Sequence, residues 1–150
     1  MVLRPEAVRE RLLKLEEVIS RLDELRRSAR KNRGFRDEWA AERGLQLGAE
    51  IILDASNHIL SAHFGVSAED YEDVLRQLVK QGVIDDAMGG RLKDLGGFRD
   101  ILVHGYLRVD PERVAEFLAR APRDFTDYAR AVRGWLDRVL AEHATPSVSG

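Results

Sequence analysis

Arg99, His104 and Tyr106 stand close together in the stretch Phe98-Arg99-Asp100-Ile101-Leu102-Val103-His104-Gly105-Tyr106. An arginine is a permanent planar cation that can grip a phosphate through two parallel hydrogen bonds. A histidine, with an unperturbed pKa of about 6.5, can give or take a proton near neutral pH. Together they are a minimal kit for acid–base cleavage of a phosphodiester without a metal. Asp100 precedes His104 by one helical turn, shares its face, and can orient the ring or raise its pKa. Arg99 and His104 are awkwardly spaced: five residues on one helix place them about 140° apart, so they do not share a face. Arg99 and Tyr106, seven apart, nearly align. Gly105 is a natural place for the helix to end, which would re-aim Tyr106. The reading without chemistry is that Arg99 and Asp100 form surface ion pairs, His104 merely ends a helix, and Tyr106 caps the bundle edge.

The elements that must position these groups all read as helices. Ile101 to Val103 form an apolar run, expected in a core, with the polar groups held at its edge. Upstream, Leu92, Leu95, Phe98, Ile101 and Leu102 carry a three–four rhythm from a start at Asp85-Asp86. Two glycine pairs, Gly89-Gly90 and Gly96-Gly97, interrupt it; they either loosen the helix or permit close approach of another backbone, such as a dimer mate or a ligand. Downstream, Asp110-Pro111-Glu112 reads as an N-cap, a first-turn proline and an acid, which leaves Tyr106 on a short link.

Before the motif, Pro5 opens an amphipathic helix marked by Val8, Leu12, Leu15, Ile19, Leu22 and Leu25, ending near Asn32-Arg33-Gly34. Its end carries Arg26, Arg27, Arg30, Lys31, Arg33 and Arg36, a solvated face that complements the helix C-terminus or a contact for RNA or an acidic partner. A second helix is expected over about 37–64, apolar nearly all round from Gly48 to Leu60, hence central and buried. Asp54, Asn57, His58 and His63 interrupt it, and buried polar groups need partners, so a bracing network is expected. His58 and His63 are five apart, which is poor spacing for two metal ligands on one helix. After a break at Gly65, a third helix is expected from an N-cap in Ser67-Ala68-Glu69-Asp70, with the acids in its first turn, to Gly82. After the Asp110 helix, Pro122 separates a last helix over about 123–143. The fold class is all-α, a bundle of five or six helices over residues 1–143, followed by a small polar tail over 144–150.

The motif resembles the Arg-x4-His-x-Tyr signature of the HepT toxins, a branch of the HEPN family of all-helical ribonucleases. The segments Trp39-Ala40-Ala41-Glu42-Arg43-Gly44-Leu45, Asp54-Ala55-Ser56-Asn57-His58, Gly82-Val83-Ile84 and Leu95-Gly96-Gly97-Phe98-Arg99 follow in the family's order, from about residue 36 to 110. The resemblance implies an endoribonuclease toxin that needs no cofactor. Arg99, Asp100 and His104 would be its catalytic residues, with the motifs of two subunits facing each other in a homodimer cleft. It also implies an MntA-like nucleotidyltransferase antitoxin that transfers AMP to Tyr106. The alternative within the same family is a non-catalytic HEPN module that binds nucleotide or pairs with a nucleotidyltransferase.

The composition narrows other classes. The net charge of −2 gives no broad basic surface, so an electrostatic footprint for RNA must be local. There is no cysteine, which excludes disulfides, thiol catalysis and cysteine-based zinc sites. Without a membrane-length apolar run or a signal-like N-terminus, a cytoplasmic protein is expected.

Overall fold

The computed structural model describes residues 2–144. Five α-helices, with two single 3-10 turns and no strand among the described residues, bear out the all-α expectation: α1 (Pro5–Arg27), α2 (Phe35–Phe64), α3 (Tyr71–Lys80), α4 (Asp86–His104) and α5 (Pro111–Ala144). Beyond Ala144 the expected tail lies outside the described residues. Helix α2 is the central element and touches the other four. It buries Leu45, Ala49, Ile52, Ile59 and Leu60 in a hydrophobic core that all five helices supply.

The starts follow local capping. Asp70 accepts the Asp73 N–H at 2.8 Å to open α3, and Asp85 accepts the Met88 N–H at 2.8 Å to open α4. Gly65 ends α2 at φ 64°, a left-handed conformation that glycine adopts without a side-chain clash.

Helix α1 ends at Arg27, earlier than its sequence pattern suggests, and a 3-10 turn at Arg30–Asn32 follows. The Arg33 guanidinium donates to the carbonyls of Ser28 (2.9 Å) and Leu25 (3.4 Å). A side chain thus satisfies carbonyls that a longer helix would otherwise have bonded. The rest of the basic cluster is largely answered inside the chain. Arg26 and Arg27 both bind Asp23, and Arg30 forms a two-pronged pair with Glu112 at 2.9 and 2.8 Å.

Pro122 does not separate two helices: α5 runs unbroken through it. Proline has no N–H for the preceding turn, so a break was the local expectation. The core overrides it, because Leu118, Ala121 and Phe125 on both sides of the proline are buried against the same neighbours.

The polar residues of α2 brace the bundle, but not as a buried network. Asp54 and Asn57 are exposed. Asp54 accepts from Arg11 Nε at 2.6 Å, and His58 Nε2 accepts the Arg4 backbone N–H at 3.2 Å, so both tie α2 to α1. Burial, then the charges of Arg4 and Arg11, hold the His58 imidazole below its ordinary pKa, which suits its role as an acceptor. His63 meets the rings of Phe64 and Trp135 edge-on. The buried bond that sequence reading missed joins Ser56 Oγ to the Tyr128 hydroxyl at 2.7 Å.

Glycines set two close approaches. A Cβ on Gly48 would stand 2.2 Å from the buried Phe125 ring, and one on Gly96 would stand 2.2 Å from the Tyr71 ring. The glycine pairs of α4 therefore admit side chains of α3 within the same chain: Gly96 admits Tyr71 and Gly89 admits Val79, while Gly90 and Gly97 face open space. Gly48→Ala is expected to destabilise the fold by about 1–3 kcal/mol, because the overlap with a fixed ring outweighs the gain in helix propensity. Gly90→Ala, with nothing near its Cβ, should instead gain up to about 1 kcal/mol. Urea unfolding of the two variants checks the pair. Equal effects would mean that Phe125 yields freely.

Candidate active site at the end of the fourth helix

Phe98 is the last fully buried residue of α4, its ring stacked on Phe117 at 4.5 Å. The final turn projects past this packing. The run from Ile101 to Val103 is consequently only partly in the core: Ile101 is 41% exposed, Val103 is half-buried, and Leu102, also half-buried, packs against the core from its edge. An apolar surface is left uncovered where the sequence suggested an interior.

Arg99 lies one residue beyond Phe98 and faces inward. Its Nη2 is 3.8 Å from Glu50 Oε1 of α2, and its Nη1 donates to Asp100 Oδ1 at 3.2 Å. Glu50 in turn accepts from Gln46 Nε2 at 3.2 Å. The Nε of Arg99 is buried with no hydrogen-bond partner, and so is the hydroxyl of Tyr71. Burial pushes the Tyr71 phenol far above its ordinary pKa, and the charge of Arg99 works against that rise. A cation paired with Glu50 of α2 and with Asp100 is thus presented at the base of the exposed turn.

His104 is the last residue of α4, exposed, its imidazole without a hydrogen-bond partner among the described residues. Asp100 is turned to Arg99, and no hydrogen bond joins it to His104. The expected angular mismatch holds: Arg99 points to α2 while His104 points to solvent. Gly105 closes the helix by donating to the Ile101 carbonyl at 2.9 Å. Tyr106 opens the 3-10 turn Tyr106–Arg108 and is 69% exposed, on the short link the sequence suggested. Beside it, a groove of about 330 Å³ lies between Trp39, Glu42, Arg43 and Gln46 of α2 and Leu102, Tyr106 and Val109.

The structure has Arg99, Asp100 and His104 on the last turns of α4 and Tyr106 on the link after it. Sequence reading missed Glu50, which pairs with Arg99. The available signal was slight: a carboxylate within an apolar stretch of α2.

This bundle, with an Arg-x4-His-x-Tyr stretch closing its fourth helix, is of the HEPN class. Residues 11–132 match the family described as Ribonuclease HepT-like, and the chain belongs to that family. Among curated relatives, YutE of Bacillus subtilis (strain 168) is 27% identical over 103 residues, covering 69% of this chain and 72% of YutE. The tRNA nuclease HepT of Aphanizomenon flos-aquae is 28% identical over 103 residues, covering 68% and 69%. The solved structure of Bacillus subtilis YutE superposes with a TM-score of 0.81 at 25% identity, over 93% of this chain and 96% of that one. A Shewanella oneidensis HEPN toxin, tri-AMPylated and in complex with an MNT antitoxin, shares the fold at TM-score 0.76 and 19% identity, over 85% and 96% of the two chains. No helix among the described residues is long and apolar enough to cross a membrane.

Proposed function

We propose that the chain is a metal-independent endoribonuclease toxin that acts as a homodimer. The observation that carries the reading is the placement of the family's motif: a half-sheltered Arg99 beside a free, exposed His104 at a helix end. His104 moves a proton, taking it from the ribose 2′-OH or giving it to the departing 5′-oxygen. Arg99 holds the scissile phosphate and stabilises the extra negative charge that builds in the transition state. When phosphate takes Arg99, Asp100 is released from its present bond and lies one turn from His104, in place to orient the imidazole. The curated relative described as a tRNA nuclease supports RNA as the substrate class.

A second copy answers the angular mismatch, since Arg99 of one subunit and His104 of the other then converge across the cleft. The uncovered Ile101 and the 87% exposed Leu107 support a partner at this end. Mixing subunits tests the composite site. Arg99→Ala and His104→Ala chains, each inactive alone, should recover RNA cleavage when co-refolded, because one of the two sites in a mixed dimer is then whole. No recovery in dimers shown to be mixed would place arginine and histidine of the same chain in each site.

Tyr106 is the proposed site of neutralisation, an exposed phenol to which a nucleotidyltransferase antitoxin transfers AMP. The tri-AMPylated toxin of the same fold is the precedent. A phosphate there competes with RNA for Arg99 and repels it. The second reading, a non-catalytic module that binds nucleotide or a nucleotidyltransferase, draws on the two carboxylates that already occupy Arg99 and on the net charge of −2. RNA cleavage by the purified dimer in the presence of chelator separates the two.

A further inference from the structure

Two large aromatic rings at the start of α2 contribute little to the core. Trp39 is 68% exposed and Phe35 64%, and they meet edge-to-face with centroids 5.6 Å apart. Trp39 forms one wall of the groove of about 330 Å³ whose other wall includes Leu102 and Tyr106 of the motif. That volume suits a small polar ligand such as a single nucleoside, about the lower bound for ligand pockets. We infer that this groove is a subsite for one unpaired nucleobase bearing an exocyclic amino group, stacked on Trp39 beside the phosphate held at Arg99. The inference rests on the ribonuclease reading and assigns the substrate class of that same site, RNA that is single-stranded next to the cut.

Four features of the groove fit a nucleotide. A flat, exposed indole offers a base a stacking face, which a paired base inside a duplex cannot reach. The hydrogen-bonding edge is rich in acceptors. Glu42 is a half-buried carboxylate, and the Gln46 amide gives one of its two N–H donors to Glu50 and keeps its oxygen to accept. Acceptors of this kind suit the amino groups of adenine, cytosine or guanine and oppose the two carbonyls of uracil. Arg43 is exposed and has no ion-pair or hydrogen-bond partner among the described residues, unlike most of the basic cluster before it, so it is free for a backbone phosphate. Finally, the groove is joined to the motif: Gln46 bonds Glu50 at 3.2 Å, and Glu50 pairs with Arg99 at 3.8 Å.

A protein surface is a poorer occupant. It would desolvate the Glu42 carboxylate and the Gln46 amide in the middle of the contact, and interface centres are depleted in glutamate. The uncovered Ile101 lines a different hollow, with Asp100 and Arg113.

Tryptophan fluorescence tests the assignment directly, because the other tryptophan, Trp135, is only 6% exposed. His104→Ala protein, which leaves RNA intact, is titrated with short adenine- or cytosine-containing single strands, with oligouridine, and with the same strands in duplex. Saturable quenching is expected with the first, weaker quenching with oligouridine and none with duplex. Adding Trp39→Ala, an exposed position that does not threaten folding, should weaken single-strand affinity by roughly tenfold to a hundredfold by anisotropy. Adding Glu42→Gln instead should narrow the preference over uridine.

Binding without quenching, equal binding of duplex, or no binding of any RNA overturns the subsite. Protein-concentration-dependent shielding of Trp39 from acrylamide also overturns it and assigns the groove to a second copy. The two readings fail separately. Wild type that cleaves RNA with Trp39 unquenched keeps the ribonuclease and loses the subsite. Quenching without cleavage in chelator does the reverse.

Discussion

His104→Ala is expected to lower RNA cleavage by about 10²–10⁴-fold, the range for a positioned general acid or base, and to end growth arrest on expression. Stability should be almost unchanged, because the imidazole is exposed and makes no hydrogen bond among the described residues. Arg99→Ala should abolish cleavage as well, but it is not structurally silent. The side chain is only 24% exposed and answers Glu50. At 3.8 Å, with Glu50 itself partly exposed and screened by solvent, the pair contributes at most about 1 kcal/mol, so the helical circular dichroism should survive. Arg99→Ala combined with His104→Ala should be little worse than either alone, since the two act as one unit on one phosphate. Cleavage assays at equal dimer concentration, with circular dichroism alongside, check all three variants. Wild-type activity in either single variant would remove that residue from the chemistry.

Tyr106→Phe is expected to stay folded and toxic while escaping its antitoxin, an all-or-none change in neutralisation. The argument rests on access. Of the three tyrosines, Tyr128 is fully buried with its hydroxyl bonded to Ser56 Oγ at 2.7 Å, and the Tyr71 hydroxyl is buried, its ring packed over Gly96. Burial holds both phenols far above their ordinary pKa, and neither can enter another enzyme's active site without unfolding. Tyr106, on a single 3-10 turn with 69% of its surface in solvent, can. Intact mass after co-expression with the nucleotidyltransferase should show AMP adducts on wild type and none on Tyr106→Phe. An adduct of unchanged mass on the variant would move the acceptor to a hydroxyl other than tyrosine, or to a locally unfolded state.

Where signals were local, the sequence was legible. Asp85, Pro111 and Gly65 mark helix ends through contacts within a few residues, and the structure places those ends accordingly; α3 is capped by Asp70, which the sequence suggested as an acid of the first turn. Where a distant partner decided the outcome, sequence reading went astray. Arg33, folding back on Leu25 and Ser28, ends α1 early. The buried residues flanking Pro122 hold α5 continuous. Ile101 and Val103 are left partly uncovered because α4 runs on past the Phe98–Phe117 contact, and no pattern of apolar residues records how far a neighbouring helix reaches.

By itself the sequence determined the all-α class, most of the helix ends, and the Arg99–His104–Tyr106 stretch with Gly105 as its stop, because periodicity and capping act over one or two turns. It also determined the angular mismatch of arginine and histidine, which follows from helix geometry alone. Only the tertiary structure decided that Glu50 holds Arg99, that Tyr71 enters over Gly96, and that Trp39 and Arg43 stand beside Tyr106. Those neighbours come from helices separated by tens of residues. Their meeting depends on how α2, α3 and α4 pack, through contacts such as the Tyr71 ring at Gly96 and the Phe125 ring at Gly48, which no short-range rule encodes.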